Sequence, residues 1–189
     1  SYSADADDPD VERANPRDKI QIYNDLLRAR GLTLENRLDE AEVLLRGVIA
    51  QDAGVVDAHE SLGHLLLEQF RYEEAIEVFE TALSMRPEDA TLVLNLTKSQ
   101  MHSGRLDEAE AVLLDFIDVL EPDARFSINL GHIKRSKGLH DEAIAHFNEA
   151  LRLSEGNLAD MPGLLRTAPE PVDVLMGAAH LGLGAVHLA

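Results

Sequence analysis

Ala41, Ala75, Ala109 and Ala143 each follow a Glu, and each is followed by large apolar residues four and eight positions on. The first offset holds Leu45, Phe79, Leu113 and Phe147; the second holds Ile49, Leu83, Ile117 and Leu151. Offsets of four and eight line one face of an α-helix, not of a strand. A second helix is expected ahead of each of these, marked by Leu62-Gly63, Leu96-Thr97 and Leu130-Gly131. The pattern therefore predicts a succession of helix pairs.

The alanines are 34 residues apart, and the sequence around them repeats with the same period. RLDEAE stands at 37–42 and again at 105–110, with RYEEAI at 71–76 and LHDEAI at 139–144. The link between the two helices carries a residue tolerant of a left-handed turn in three cases, Asn36, Gly104 and Gly138. Phe70 is the misfit at that place. Pro87 and Pro122 close two units, and Asp89 and Asp123 stand where helix N-caps are needed.

Residues 56–89, with Leu62, Gly63, Ala75, Phe79, Ala82 and Pro87, resemble a tetratricopeptide repeat (TPR), with His59 and Leu66 where that family has Trp and Tyr. Four in-phase copies follow at 22–55, 56–89, 90–123 and 124–157. The resemblance implies an all-α, right-handed solenoid of antiparallel helix pairs, whose first helices line a concave groove. Residues 158–169 read as an insertion. Residues 170–189 read either as a partial fifth repeat, with Met176-Gly177 matching Leu62-Gly63, or as one capping helix. Natural solenoids end in polar caps. An apolar end, with Ser1 rather than Met at the start, leads to the expectation of a piece of a longer protein.

Composition narrows the partners. Thirty-five acids against seventeen Lys and Arg leave a formal charge of -18, which disfavours nucleic acid and anionic membrane as ligands. Cys is absent, removing disulfides, thiolate nucleophiles and Cys-held metals. Residues 1–16 form an acidic leader, expected to be flexible, with no basic-then-apolar signal pattern. Asp173, His180 and His187 interrupt the apolar run at 172–189, which therefore reads as a buried helix rather than a membrane span. The compartment stays open.

The chemistry of catalysis is missing. The acidic pairs Asp39-Glu40, Glu73-Glu74, Asp107-Glu108 and Asp141-Glu142 recur in every repeat, where the first turn of a helix favours negative charge. A catalytic pair would occur once. The eight His show no i, i+3 or i, i+4 spacing, and His64 and His132 lie two repeats apart, too far to share one ion. No phosphate loop, nucleophile elbow or HExxH motif is present, so neither enzyme activity nor cofactor nor metal is expected.

The TPR resemblance places positions 2, 5, 6, 9, 12 and 13 of each repeat in the groove. It thereby implies a peptide-binding site of Asn95, Lys98, Arg125, Asn129, His132 and Arg135. A carboxamide both donates and accepts, matching a peptide unit, and the cations suit an acidic or C-terminal peptide. The carboxylate clamp of TPR co-chaperones is disfavoured, because Leu26, Glu60, Leu94 and Ile128 occupy its cationic position. The reading is a non-catalytic protein-interaction scaffold. Two alternatives stand beside it. Pro16-Arg17-Asp18-Lys19-Ile20 with Tyr23-Asn24 resembles the junction after which TPR arrays follow the hydrolase domain of some bacterial sulfatase-like proteins, making the chain an accessory array. Alternatively, the apolar 172–189 segment serves self-association.

Overall fold

The computed structural model describes residues 16–117 and 123–160. The leader 1–15, most of the insertion and the whole 170–189 segment lie outside the described residues. Eight helices and no strand occur among those described: α1 (Pro16–Leu34), α2 (Leu38–Gln51), α3 (Val56–Glu68), α4 (Tyr72–Met85), α5 (Ala90–His102), α6 (Leu106–Ile117), α7 (Ala124–Ser136) and α8 (His140–Asp160). The described residues divide into two compact units, one up to Ala58 and one from His59 on. Helix α8 continues three residues past 157, into the segment read as an insertion.

In the first unit, α1 packs on α2, and Ala29, Leu32, Ala41, Leu45 and Val48 are buried. The turn between them is closed by Asn36 at φ 58°. Its N–H donates to Thr33 O at 2.9 Å, and the next N–H, of Arg37, donates to Leu32 O at 2.9 Å. This pair of bonds is the Schellman closure, which needs one left-handed residue.

The second unit repeats that closure three times, at Phe70, Gly104 and Gly138, with φ of 60°, 83° and 77°. Arg71, Arg105 and Leu139 donate back to Leu66, Gln100 and Lys134 at 2.8–2.9 Å. Phe70, the sequence misfit, thus takes the conformation of its equivalents. A side chain there strains the backbone by about 1–2 kcal/mol, and the surrounding turn imposes it nonetheless.

The recurring Arg of the hexapeptide has a partner. Arg37, Arg71 and Arg105 each reach the Glu three residues on, Glu40, Glu74 and Glu108, at 2.7, 2.6 and 3.5 Å. The helices α5 and α7 start as expected: Asp89 accepts from the N–H groups of Thr91 and Leu92, and Asp123 from that of Arg125 at 2.8 Å.

Ala75, Ala109 and Ala143 are fully buried. Beside them, Gly63 and Gly131 lie so close to the Phe79 and Phe147 rings that an added Cβ would come within 2.5 Å of ring carbon. Glycine is therefore required at both places, because the phenyl ring occupies the space a side chain would need. The core of this unit continues through Val93, Leu113, Phe126, Leu130 and Ile133, uniting α5, α6 and α7. A charged network seals its flank. Lys134 bridges Glu110 and Glu142 at 2.7 and 2.6 Å, Lys137 bridges Asp107 and Glu110, and these two ammonium groups hold the Glu110 carboxyl below its ordinary range.

Candidate functional site

Helices α3, α5 and α7 are the first members of the helix pairs in the second unit, and the expected groove residues lie on them. Asn95 is half-buried on α5, and its Nδ2 lies 3.1 Å from His64 Nε2 on α3. His64 in turn meets the Phe79 ring edge-on, with centroids 5.8 Å apart and planes at 82°. Lys98 is exposed one turn along α5, near enough for its charge to add to burial in lowering the His64 pKa, against the opposing pull of Glu60 and Glu68. His64, Asn95 and Lys98 therefore form one connected set.

Helix α7 carries Asn129, His132 and Arg135 at three-residue spacing, all partly buried. His132 repeats the arrangement of His64: it stands edge-on to Phe147 at 5.2 Å and 72°. Burial lowers its pKa first, and the Arg135 charge adds to that. Helices α5 and α7 pack on each other, so both sets belong to one body.

Arg125 behaves differently from the other two cations. Its guanidinium grips Asp123, with Nε 2.9 Å and Nη2 2.7 Å from Oδ2, and this hydrogen bonding raises its pKa. Its charge is matched from within. By contrast, Lys98 and Arg135 make no ion pair among the described residues. Every other Lys and Arg described in the second unit does, namely Arg71, Arg86, Arg105, Arg125, Lys134, Lys137 and Arg152.

Two features escaped the reading of the sequence. One is the bond between His64 and Asn95, residues 31 apart. The other is the dependence of both histidines on a Phe lying 16 residues after the preceding Gly, a spacing visible in Gly63/Phe79 and Gly131/Phe147. The first unit also has a shallow groove of about 310 Å³ lined by Arg28, Leu32, Asp39, Glu40, Val43 and Leu44. Among the described residues, no three His, Asp or Glu are grouped to hold a metal ion. No described helix is long and apolar enough to cross a membrane.

Models of the tetratricopeptide repeat match residues 26–90, 66–126 and 124–157. The chain belongs to the tetratricopeptide repeat family. Anaphase-promoting complex subunit 7 of Dictyostelium discoideum is 27% identical over 151 residues, covering 77% of this chain and 25% of that protein. Protein O-mannosyl-transferase TMTC1 of Homo sapiens is 28% identical over 132 residues, covering 68% of this chain and 15% of that protein. The chain thus spans a quarter or less of the length of these relatives. Among solved structures, YrrB, described as a TPR protein with an unusual peptide-binding site, superposes with a TM-score of 0.60 at 19% identity, covering 87% of this chain and 91% of that one. At that identity the likeness shows the fold. This TPR chain has the all-α solenoid fold of that family.

Proposed function

We propose that the α5–α7 face of this TPR array binds an extended segment of a partner protein, acidic or ending in a free carboxylate, without catalysing a reaction on it. The array is read as four 34-residue repeats at 22–55, 56–89, 90–123 and 124–157, and α5 and α7 open the last two. The observation that carries the proposal is that two cations have no internal ion pair. In a chain of formal charge -18, Lys98 and Arg135 alone among the described cations of their unit lack an acidic partner. Both stand on the helices that carry Asn95 and Asn129. Asn95 has its Nδ2 turned to His64, which leaves Oδ1 to accept a backbone N–H of the bound segment. His132 lies between Asn129 and Arg135. Arg125 contributes only when Asp123 releases it.

Electrostatic attraction at such a face should fall with salt. The test is a peptide-array selection on the wild type and on Lys98→Glu/Arg135→Glu. The expected result is enrichment of acidic or C-terminal sequences by the wild type and their loss in the double variant. Recovery of the same peptides at equal strength by both proteins would overturn the proposal.

A second reading makes the array an accessory part of a longer enzyme. It is favoured by the match to a transferase of which the chain spans 15%. Sequencing the gene beyond residues 1 and 189 decides it, by showing or failing to show an adjoining catalytic domain.

A further inference from the structure

The turn between α3 and α4 carries a bulky residue where its three equivalents have Asn or Gly. Phe70 adopts φ 60° and leaves 76% of its surface exposed, more than any other Phe or Tyr described. Nothing in the turn's hydrogen bonding calls for an aromatic ring, since Asn36, Gly104 and Gly138 close the same bonds without one. A left-handed, bulky, exposed residue of this kind points to a use outside the turn itself.

The ring is not isolated. Phe70 meets Tyr72 edge-on, with centroids 6.3 Å apart at 88°. Tyr72 stacks on His102 at the end of α5, at 5.2 Å and 14°. Three rings thus form a row from the α3–α4 turn to the next helix pair. Exposed Glu68, Glu73 and Glu74 flank Phe70 in sequence. The sole cation between Glu68 and Glu74, Arg71, is held by Glu74 at 2.6 Å and by Gln69 at 2.7 Å. The result is an aromatic row flanked in sequence by acids; it ends on His102, one turn past Lys98 on α5.

We propose that Phe70, Tyr72 and His102 form a second docking surface, for an arginine-bearing extended segment of a partner protein. Charge complementarity selects the cation: the local acids and the chain's formal charge of -18 both attract it. Ring chemistry selects arginine over lysine, because a planar guanidinium stacks on an aromatic face while its edge still donates to carboxylates. Glu68 and Glu73 supply those carboxylates, and Phe70 supplies the exposed face.

The experiment measures fluorescence polarisation of labelled peptides with the whole chain. The probes alternate glycine with arginine, with lysine or with glutamate. The arginine peptide should bind several-fold tighter than the lysine peptide, and the glutamate peptide should not compete with it. Phe70→Gly should weaken arginine-peptide binding about ten-fold while raising the melting temperature by a few degrees, because it removes the ring and the backbone strain together. Phe70→Asn should lose the same affinity. Opposite signs for binding and stability separate a docking ring from a structural one. Equal affinity of the wild type and Phe70→Gly, or equal affinity for arginine and lysine peptides, overturns the proposal. The α5–α7 face is read with a different probe, acidic peptides, and with Lys98→Glu/Arg135→Glu, so failure of one proposal is distinguishable from failure of the other.

Discussion

The α7–α8 pair and the α5–α6 pair solve the same packing problem with different side chains. In the former, Gly131 gives way to Phe147, and His132 rests edge-on against that ring. In the latter, the equivalent positions hold Thr97, Leu113 and Lys98, with Thr97 and Leu113 fully buried. The α3–α4 pair follows the first solution with Gly63, Phe79 and His64. The first unit uses the second solution, with Ala29 and Leu45 buried at the equivalent positions. Bulk removed from one helix reappears on its partner, as a close-packed interior demands. The residue after the small one is then free to vary. It becomes a ring-bound His where a Phe is available, and a solvent-reaching cation where it is not.

Breaking the aromatic version outright should give the largest effect. Phe147→Ala should cost about 3–5 kcal/mol, and Leu113→Ala about 2–5 kcal/mol, in chemical denaturation. Ala109→Leu belongs to the same class of test. It overpacks a fully buried contact and should cost about 1–3 kcal/mol.

A double-mutant cycle sharpens the comparison. Gly131→Ala alone should destabilise by about 1–3 kcal/mol through its collision with Phe147. In a Phe147→Leu background the same substitution should cost little, since Ala with Leu is the pairing that α1 and α2 already use. Additive losses in the cycle would show that the two positions do not exchange volume.

The caps offer a gentler contrast. Asp89→Ala and Asp123→Ala should each lose about 1 kcal/mol of stability. Only Asp123→Ala also releases Arg125, so only that variant should tighten acidic-peptide binding. Equal peptide affinities for the two variants would remove Arg125 from the groove.

The smallest expected effect is in pH. His64 and His132 have pKa values below the ordinary 6.5, chiefly through burial. The unfolded chain therefore takes up these protons first as pH falls. The stability they contribute is complete above about pH 6.5 and is lost as pH drops toward their folded values. Between about pH 7.5 and 5.5 the wild type should lose more melting temperature than His64→Gln/His132→Gln. As pH falls, protonation adds positive charge near Lys98 at His64 and near Arg135 at His132, so acidic peptides should bind the wild type more tightly at the lower pH.

Much of the fold was legible because its determinants are local. The left-handed turns at Asn36, Gly104 and Gly138 and the caps at Asp89 and Asp123 depend on residues within one helical turn, and they stand where the residue types place them. Phe70 marks the limit of such reading. Its own preference disfavours the left-handed turn, and the Schellman bonds of the flanking helices override it. For the candidate site, the equivalence of His64 with His132 and of Asn95 with Asn129 was legible in the repeat period. Their environments were not. The bond from Asn95 to His64 spans 31 residues, and nothing local announces it.

The sequence by itself determined the helical period, the pairing of helices, the turns and the acidic balance, since each follows from spacing or from the chemistry of one residue type. Only the tertiary structure decided why Gly63 and Gly131 cannot carry a side chain, and which of the many charges remain available. Arg125 and Lys98 read alike along the chain, yet one guanidinium closes on its own helix cap while the other cation reaches solvent. A side chain's charge is a property of its residue type. Whether that charge is already satisfied depends on which acids the fold brings within about 4 Å, and that distance is set by packing.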